Sequence, residues 1–295
     1  MTIAACYLSP EGVVLGADST SSVLVSPGGG YHYLNYNQKL FQFGEYSTVG
    51  IITWGLGSLE NLSYRTLIAL TADEIEQSQP KDLAEIAQAW VNNFWKVYSR
   101  DSSVTACLAL SKKSPHDPTN LSNPSARSKD EEEQFSNLKI NLGVGFCIAG
   151  YWLPDRTPLA FQVFFDPLAT TAPQPHAIQV GSSNFWGAPN MIKRLIMGVD
   201  DGLKDLIMQS GKWKGTDTDL LTLMSQSSLA HPLLPIRDAI DFVHSCIYST
   251  IKAMKFSTLH QICGGPIEIA VITTDRQFRW VRHKQWDAAI TEGAT

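Results

Sequence analysis

Met1-Thr2-Ile3-Ala4-Ala5-Cys6-Tyr7-Leu8, the turn Ser9-Pro10-Glu11-Gly12, and Val13-Val14-Leu15-Gly16-Ala17-Asp18-Ser19 open this 295-residue chain. Two apolar runs flank a turn with Pro at its second position and Gly at its fourth. That is a type I turn pattern, so the stretch predicts a β-hairpin. Counting back from a Pro10-Glu11 tip pairs Leu8 with Val13 and sets Thr2 opposite Ser19, with Asp18 one residue away. Which face Asp18 shares with Thr2 depends on a one-residue slip or bulge and stays open. Removal of Met1 would place a hydroxyl and a free α-amine on one residue, Thr2. A hydroxyl needs an adjacent base to act as a nucleophile, and an α-amine, with a pKa of about 7.7–8.0, serves near neutrality.

Outward from this hairpin, Ser19–Val25 continues as strand and Pro27-Gly28-Gly29-Gly30 breaks it. No GK[ST] follows those glycines, so they read as a turn and not a phosphate loop. Residues 39–43 and 48–54 form a second predicted hairpin. Leucines and isoleucines at helical spacing predict helices over 58–78 and 80–98, the latter with Trp90 and Phe94 on its apolar stripe. Those aromatics, with Trp95, read as core or subunit contact and not as a ligand cage. Residues 103–110 read as a strand. Residues 111–138 turn polar, carry Pro115, Pro118 and Pro124 and the run Lys129-Asp130-Glu131-Glu132-Glu133, and read as an exposed insertion without a catalytic role. Strands follow at 141–150, 158–166 and 176–181, helices at 185–209, 217–227 and 235–255, and strands at 267–273 and 277–283. Strands, helices, strands, helices and strands in that order predict a layered α+β domain of two sheets covered by helices, without an internal repeat.

The chain is 44% hydrophobic and 17% charged, with a formal net charge of −5. That suits a globular core and gives no electrostatic footprint for nucleic acid or an anionic membrane. No apolar run reaches the roughly 20 residues of a spanning helix, and residues 1–7 lack the features of a signal peptide. Five scattered cysteines without CxxC point to reduced thiols and a cytoplasmic setting, so the sequons at Asn61 and Asn120 are chance matches. The seven histidines show no HxxxH or HExxH spacing, so neither a metal nor any other cofactor is expected.

Taken together, Thr2-Ile3-Ala4, Glu11–Ser19, Lys39-Leu40, Thr53-Trp54-Gly55-Leu56-Gly57-Ser58 and Gly264-Gly265-Pro266-Ile267-Glu268-Ile269-Ala270-Val271-Ile272-Thr273 resemble the proteasome β-type subunits among the N-terminal-nucleophile hydrolases. Bacterial relatives of the proteasome are the nearest shape. The resemblance implies one four-layer αββα sandwich domain over 1–295, with the insertion at 111–138. It implies a threonine-type peptidase in which Thr2 is the nucleophile, Asp18 holds Lys39, and the Lys39 ammonium lowers the pKa of the Thr2 groups. The Gly55 N–H would bind the oxyanion, and Thr53 would line the substrate pocket.

Two positions depart from the family pattern. Where an Asp and, three residues later, a Ser support the threonine, this chain has His260 and Cys263. A neutral imidazole accepts a hydrogen bond but does not hold an ammonium as a carboxylate does. The remaining supporting Ser falls at Ser183 or at Asn184, depending on the alignment of 180–184. These changes keep two alternatives beside the peptidase: a non-proteolytic amidase acting on a small substrate, and a catalytically silent structural subunit. The resemblance further implies a homo-oligomer, closed as a ring in some relatives, with peptide or protein substrates. It admits an ATP-dependent unfoldase as partner without requiring one.

Overall fold

The computed structural model describes residues 2–24, 31–45, 47–59, 62–117, 125–229, 231, 233–258 and 263–284. The elements run β1 (Ile3–Ser9), β2 (Gly12–Ala17), β3 (Ser21–Leu24), β4 (Tyr31–Leu34), β5 (Leu40–Gln42), β6 (Val49–Gly55), α1 (Tyr64–Ser78), α2 (Leu83–Tyr98), α3 (Ser102–Ser111) and α4 (Lys129–Asn141). They continue as β7 (Val144–Gly150), β8 (Leu159–Phe165), β9 (His176–Ala177), β10 (Ser183–Gly187), α5 (Asn190–Met197), α6 (Asp201–Gln209), α7 (Asp217–Ser227), α8 (Ile236–Lys255), β11 (Glu268–Thr273) and β12 (Arg279–Arg282). The class is α+β, as expected. Among the described residues no helix is long and apolar enough to cross a membrane.

Two compact units divide the described residues. One draws on Met1–Leu40, Val180–Thr273 and Arg279–Thr295, the other on Phe41–Gln179 and Thr274–Phe278. The first is built on an antiparallel sheet of order β10-β1-β2-β11-β12. Every residue of β1 and β2 is buried, which is why both strands read as apolar runs without clean alternation. α8 packs on this sheet through Ala239, Val243, Ile247 and Met254, spaced at the helical repeat. Gly16 permits the approach: a Cβ there would stand 2.7 Å from Val243 and 2.8 Å from Ile247.

The second unit has the sheet β5-β6-β7-β8-β9, with α1 packed on α2 and α2 packed on β7 and β8. Trp90 and Phe94 are fully buried, as the core reading expected. Phe94 stands 4.7 Å from Phe146, edge to face, and 4.6 Å from Phe165, tilted, centroid to centroid.

Two local expectations are corrected and a third segment gains detail. Residues 103–110 form helix α3 and not a strand: Asp101 caps the Ser103 and Val104 N–H groups, and the buried positions Val104, Cys107 and Leu110 recur every three residues, not every two. The charged run 129–133 is exposed or half-buried and opens a helix without buried residues. Ser128 and Glu131 form a capping box that starts α4, and buried Arg127 binds Glu132 at 2.7 Å. The helix expected over 185–209 is a strand and two helices, because β10 pairs with β1 and Gly198 turns left-handed at the end of α5.

Candidate active site

The β1–β2 hairpin positions the first functional side chains. Leu8 pairs with Val13 and Ala4 with Ala17, the register counted from the turn. It continues past the strand ends: Ile3 N–H donates to Asp18 Oδ1 at 3.0 Å, and Asp18 N–H donates to the Ile3 carbonyl at 3.1 Å. The carboxylate left open as to face therefore turns back onto β1, one residue from Thr2. Thr2 is 4% exposed, and among the described residues no group hydrogen-bonds its hydroxyl.

Asp18 is fully buried and accepts four hydrogen bonds, which matches the four lone-pair sites of a carboxylate. Oδ1 takes Ile3 N–H and the Lys39 ammonium at 2.6 Å, while Oδ2 takes Thr20 N–H at 3.2 Å and Gly264 N–H at 2.8 Å. Lys39, 4% exposed, also donates to the Thr20 carbonyl at 2.6 Å. Two of its three protons are thus committed, and among the described residues nothing takes the third. A buried lysine keeps its charge only beside such acceptors, so β2, the Thr20 backbone and the 264 loop together hold one ammonium next to the start of β1.

Cys263, fully buried, adjoins this pair. Burial first, and the Asp18 charge second, push its thiol from the ordinary 9.0 up to about 12. It is therefore a neutral neighbour of the ion pair and not a thiolate. His260 lies outside the described residues.

The sequence reading missed three groups. Gly264 and Thr20 supply backbone donors to Asp18, and only the Gly264-Gly265 turn hinted at one of them. Gly187 is the third: its φ is +83°, and a Cβ there would stand 1.9 Å from the Thr2 carbonyl oxygen. Ser183 is not brought to the site. It pairs with Tyr7, five residues along β1 from Thr2, a strand distance of about 17 Å. Asn184, its alternative, pairs with Cys6. The position beside Ile3 on β10 is Gly187, followed by buried Ala188, and neither has a hydroxyl.

Gly55 and Thr53 belong to the second unit, at the end of β6. Gly55 has φ +89°, and a Cβ there would meet the Gly143 carbonyl oxygen at 2.2 Å, so only glycine fits this corner. Thr53 is buried and donates to the Gly145 carbonyl at 3.1 Å. Among the described residues no group of three or more His, Cys, Asp or Glu side chains is arranged to hold a metal ion.

The fold is of the α+β class, two sheets with packed helices. Among solved structures the chain is similar to Anbu (ancestral β-subunit) from Yersinia bercovieri, with 11% identity, a TM-score of 0.55, and coverage of 100% of this chain and 92% of that one. Anbu from Hyphomicrobium sp. strain MC1 matches at 10% identity and TM-score 0.54, over 99% of this chain and 96% of that one. A third structure, described as a helical assembly of the Anbu complex from Pseudomonas aeruginosa, matches at 12% identity and TM-score 0.52, over 98% of this chain and 90% of that one. No family profile and no curated protein sequence matches the chain. The assignment to proteasome β-type subunits is therefore corrected: the neighbours are Anbu proteins, and identities of 10–12% carry the fold alone. The physical reason is that the motif blocks at 2–4, 11–19 and 264–273 form the paired strands β1, β2 and β11 and their turns. They mark a shared sheet before they mark a family.

Proposed function

We propose that the chain is an amide hydrolase of the threonine-peptidase type, with Thr2 as the nucleophile once Met1 is removed. The observation that carries this reading is the buried Asp18–Lys39 pair, held at 2.6 Å beside the first strand, with one ammonium proton that no group among the described residues takes. In the proposed reaction the Thr2 hydroxyl oxygen bonds to the substrate carbonyl carbon and its proton passes to the Thr2 amine. The amine returns that proton to the leaving nitrogen as the C–N bond breaks. Water then adds to the ester carbon and gives one proton to the amine; the bond from that carbon to the Thr2 oxygen breaks, the amine passes the proton to the Thr2 oxygen, and the carboxylic acid leaves. The Lys39 charge favours the developing alkoxide, as a positioned cation does in general. Gly55 N–H is proposed as the oxyanion donor, Thr53 as pocket lining, and Cys263 as a neutral supporting group.

Self-association is proposed as well. The Pseudomonas relative is described as a helical assembly, and this chain exposes Leu203 and Leu206 on α6 and Leu221 and Leu223 on α7.

The test is intact mass and N-terminal sequencing, followed by cleavage of fluorogenic peptides and small amides by the unaltered protein and by Thr2→Ala. Peptide turnover that Thr2→Ala abolishes is the expected result. Turnover confined to small amides would select the amidase, and a retained Met1 with no turnover would select the silent subunit.

A further inference from the structure

Lys284 lies two residues beyond β12, and its ammonium reaches three acceptors: the Asn37 carbonyl at 2.9 Å, Glu268 Oε2 at 3.2 Å and Ser19 Oγ at 3.4 Å. The lysine side chain is 12% exposed and Glu268 is fully buried, so this is an internal ion pair and not a rim contact. His283 Nδ1 stands 2.7 Å from the other oxygen, Oε1, without hydrogen-bond geometry, which leaves Lys284 as the hydrogen-bonded cation of that carboxylate.

Each acceptor belongs to a segment that also holds the Asp18–Lys39 pair. Glu268 pairs across the sheet with Ala17, the residue before Asp18. Ser19 follows Asp18; its N–H donates to the Gly264 carbonyl at 3.0 Å and its hydroxyl to the Pro266 carbonyl at 2.7 Å. Gly264 in turn gives its own N–H to Asp18. Asn37, two residues before Lys39, donates its N–H to the Ser19 carbonyl at 3.0 Å. The segments at 17–20, 37–39 and 264–268 therefore converge on one ammonium that belongs to a fourth. A sheet edge is closed by backbone hydrogen bonds alone, whereas a buried carboxylate is costly unless a cation stays beside it. That cost ties the segments together.

We propose that Lys284, acting through Glu268, Ser19 and Asn37, is a positioning residue that keeps the Asp18 carboxylate and the Lys39 ammonium aligned at Thr2. The inference rests on the Thr2 reading and deepens it.

The test compares the unaltered protein with Lys284→Met, Lys284→Gln and Lys284→Arg, using two readouts. One is hydrogen exchange at the Gly264 and Thr20 amides, which donate to Asp18. The other is inactivation by a peptidyl epoxide that captures an N-terminal threonine. Lys284→Met should speed exchange at those two amides about 10-fold, with the core strands unaffected. It should slow the first-order inactivation step about 10-fold while the half-saturating reagent concentration stays within about 2-fold, since orientation and not binding is lost. Lys284→Gln should act in the same direction to a smaller extent and serves if the Met variant does not fold. Lys284→Arg should restore both readouts. Unchanged exchange at Gly264 and Thr20, a uniform rise across all amides, or failure of Arg to restore would overturn the proposal. If the unaltered protein resists the epoxide, the Thr2 reading fails and the exchange pattern alone decides the positioning role.

Discussion

Asp18 concentrates the energetics of the candidate site in one residue. Its four accepted hydrogen bonds, one of them from the Lys39 ammonium, sit in a buried place, where losing one partner costs more than the pair contributes. Asp18→Ala should cost roughly 3–5 kcal/mol in urea unfolding, and Asp18→Ala combined with Lys39→Met less than the sum of the two single changes. Cys263 allows a prediction about pH. Its folded value lies above its unfolded one, so the folded state keeps a proton that the unfolded chain releases. Stability from this thiol is full below pH 9.0 and falls as pH rises toward about 12. The slope is about 1.4 kcal/mol per pH unit. Cys246, pushed up to about 11 by burial, adds in the same direction. Melting temperature followed from pH 8 upward should fall less steeply in Cys263→Ala than in the unaltered protein.

Among the elements, β10 acts on the site by what it lacks. Gly187 lets the strand lie against Thr2 where any side chain would meet the Thr2 backbone. Gly187→Ala should cost roughly 1–3 kcal/mol from its left-handed backbone alone. It should also slow Thr2 labelling by an amide-directed electrophile more than a control change elsewhere on β10, because it displaces Thr2 itself. Helix α4 tests a different link. Arg127 Nη1 donates to the Leu110 and Lys113 carbonyls at 2.9 Å each, and the guanidinium lies 4.2 Å over the Phe135 ring. One side chain thus fastens α4 to the end of α3. Arg127→Met should leave about 1–3 kcal/mol of buried acceptors unpaired. Limited proteolysis should then cut faster within 111–141, while the core strands β6 and β7 stay protected.

For the molecule as a whole, the exposed leucines of α6 and α7 are apolar surface that the chain's own packing leaves uncovered. Sedimentation should detect species above the 32.5 kDa of one chain. Replacing Leu206 and Leu223 together with Lys should lower the assembled fraction without lowering the melting temperature.

The α+β class and the opening hairpin with its register were legible in the sequence, and the Asp18–Lys39 contact was expected only through the family resemblance. The first two rest on local chemistry: a Pro-Gly turn sets register by counting, and buried strands must be apolar runs. Helix α3 was lost because Val104, Cys107 and Leu110 fit a short apolar run as well as a helical repeat, and the Asp101 cap decided between them. Ser183 was misplaced because a hydroxyl near a Gly-bearing turn has no address until β10 is paired with β1. The sequence by itself determined which residues could carry the chemistry. Only the tertiary structure decided which backbone amides fill Asp18, that Gly187 and Ala188 stand where a supporting hydroxyl was sought, and that Lys284 joins the segments behind the pair. The physical reason is that those contacts span up to 265 residues of chain and follow from strand pairing, which no local pattern encodes.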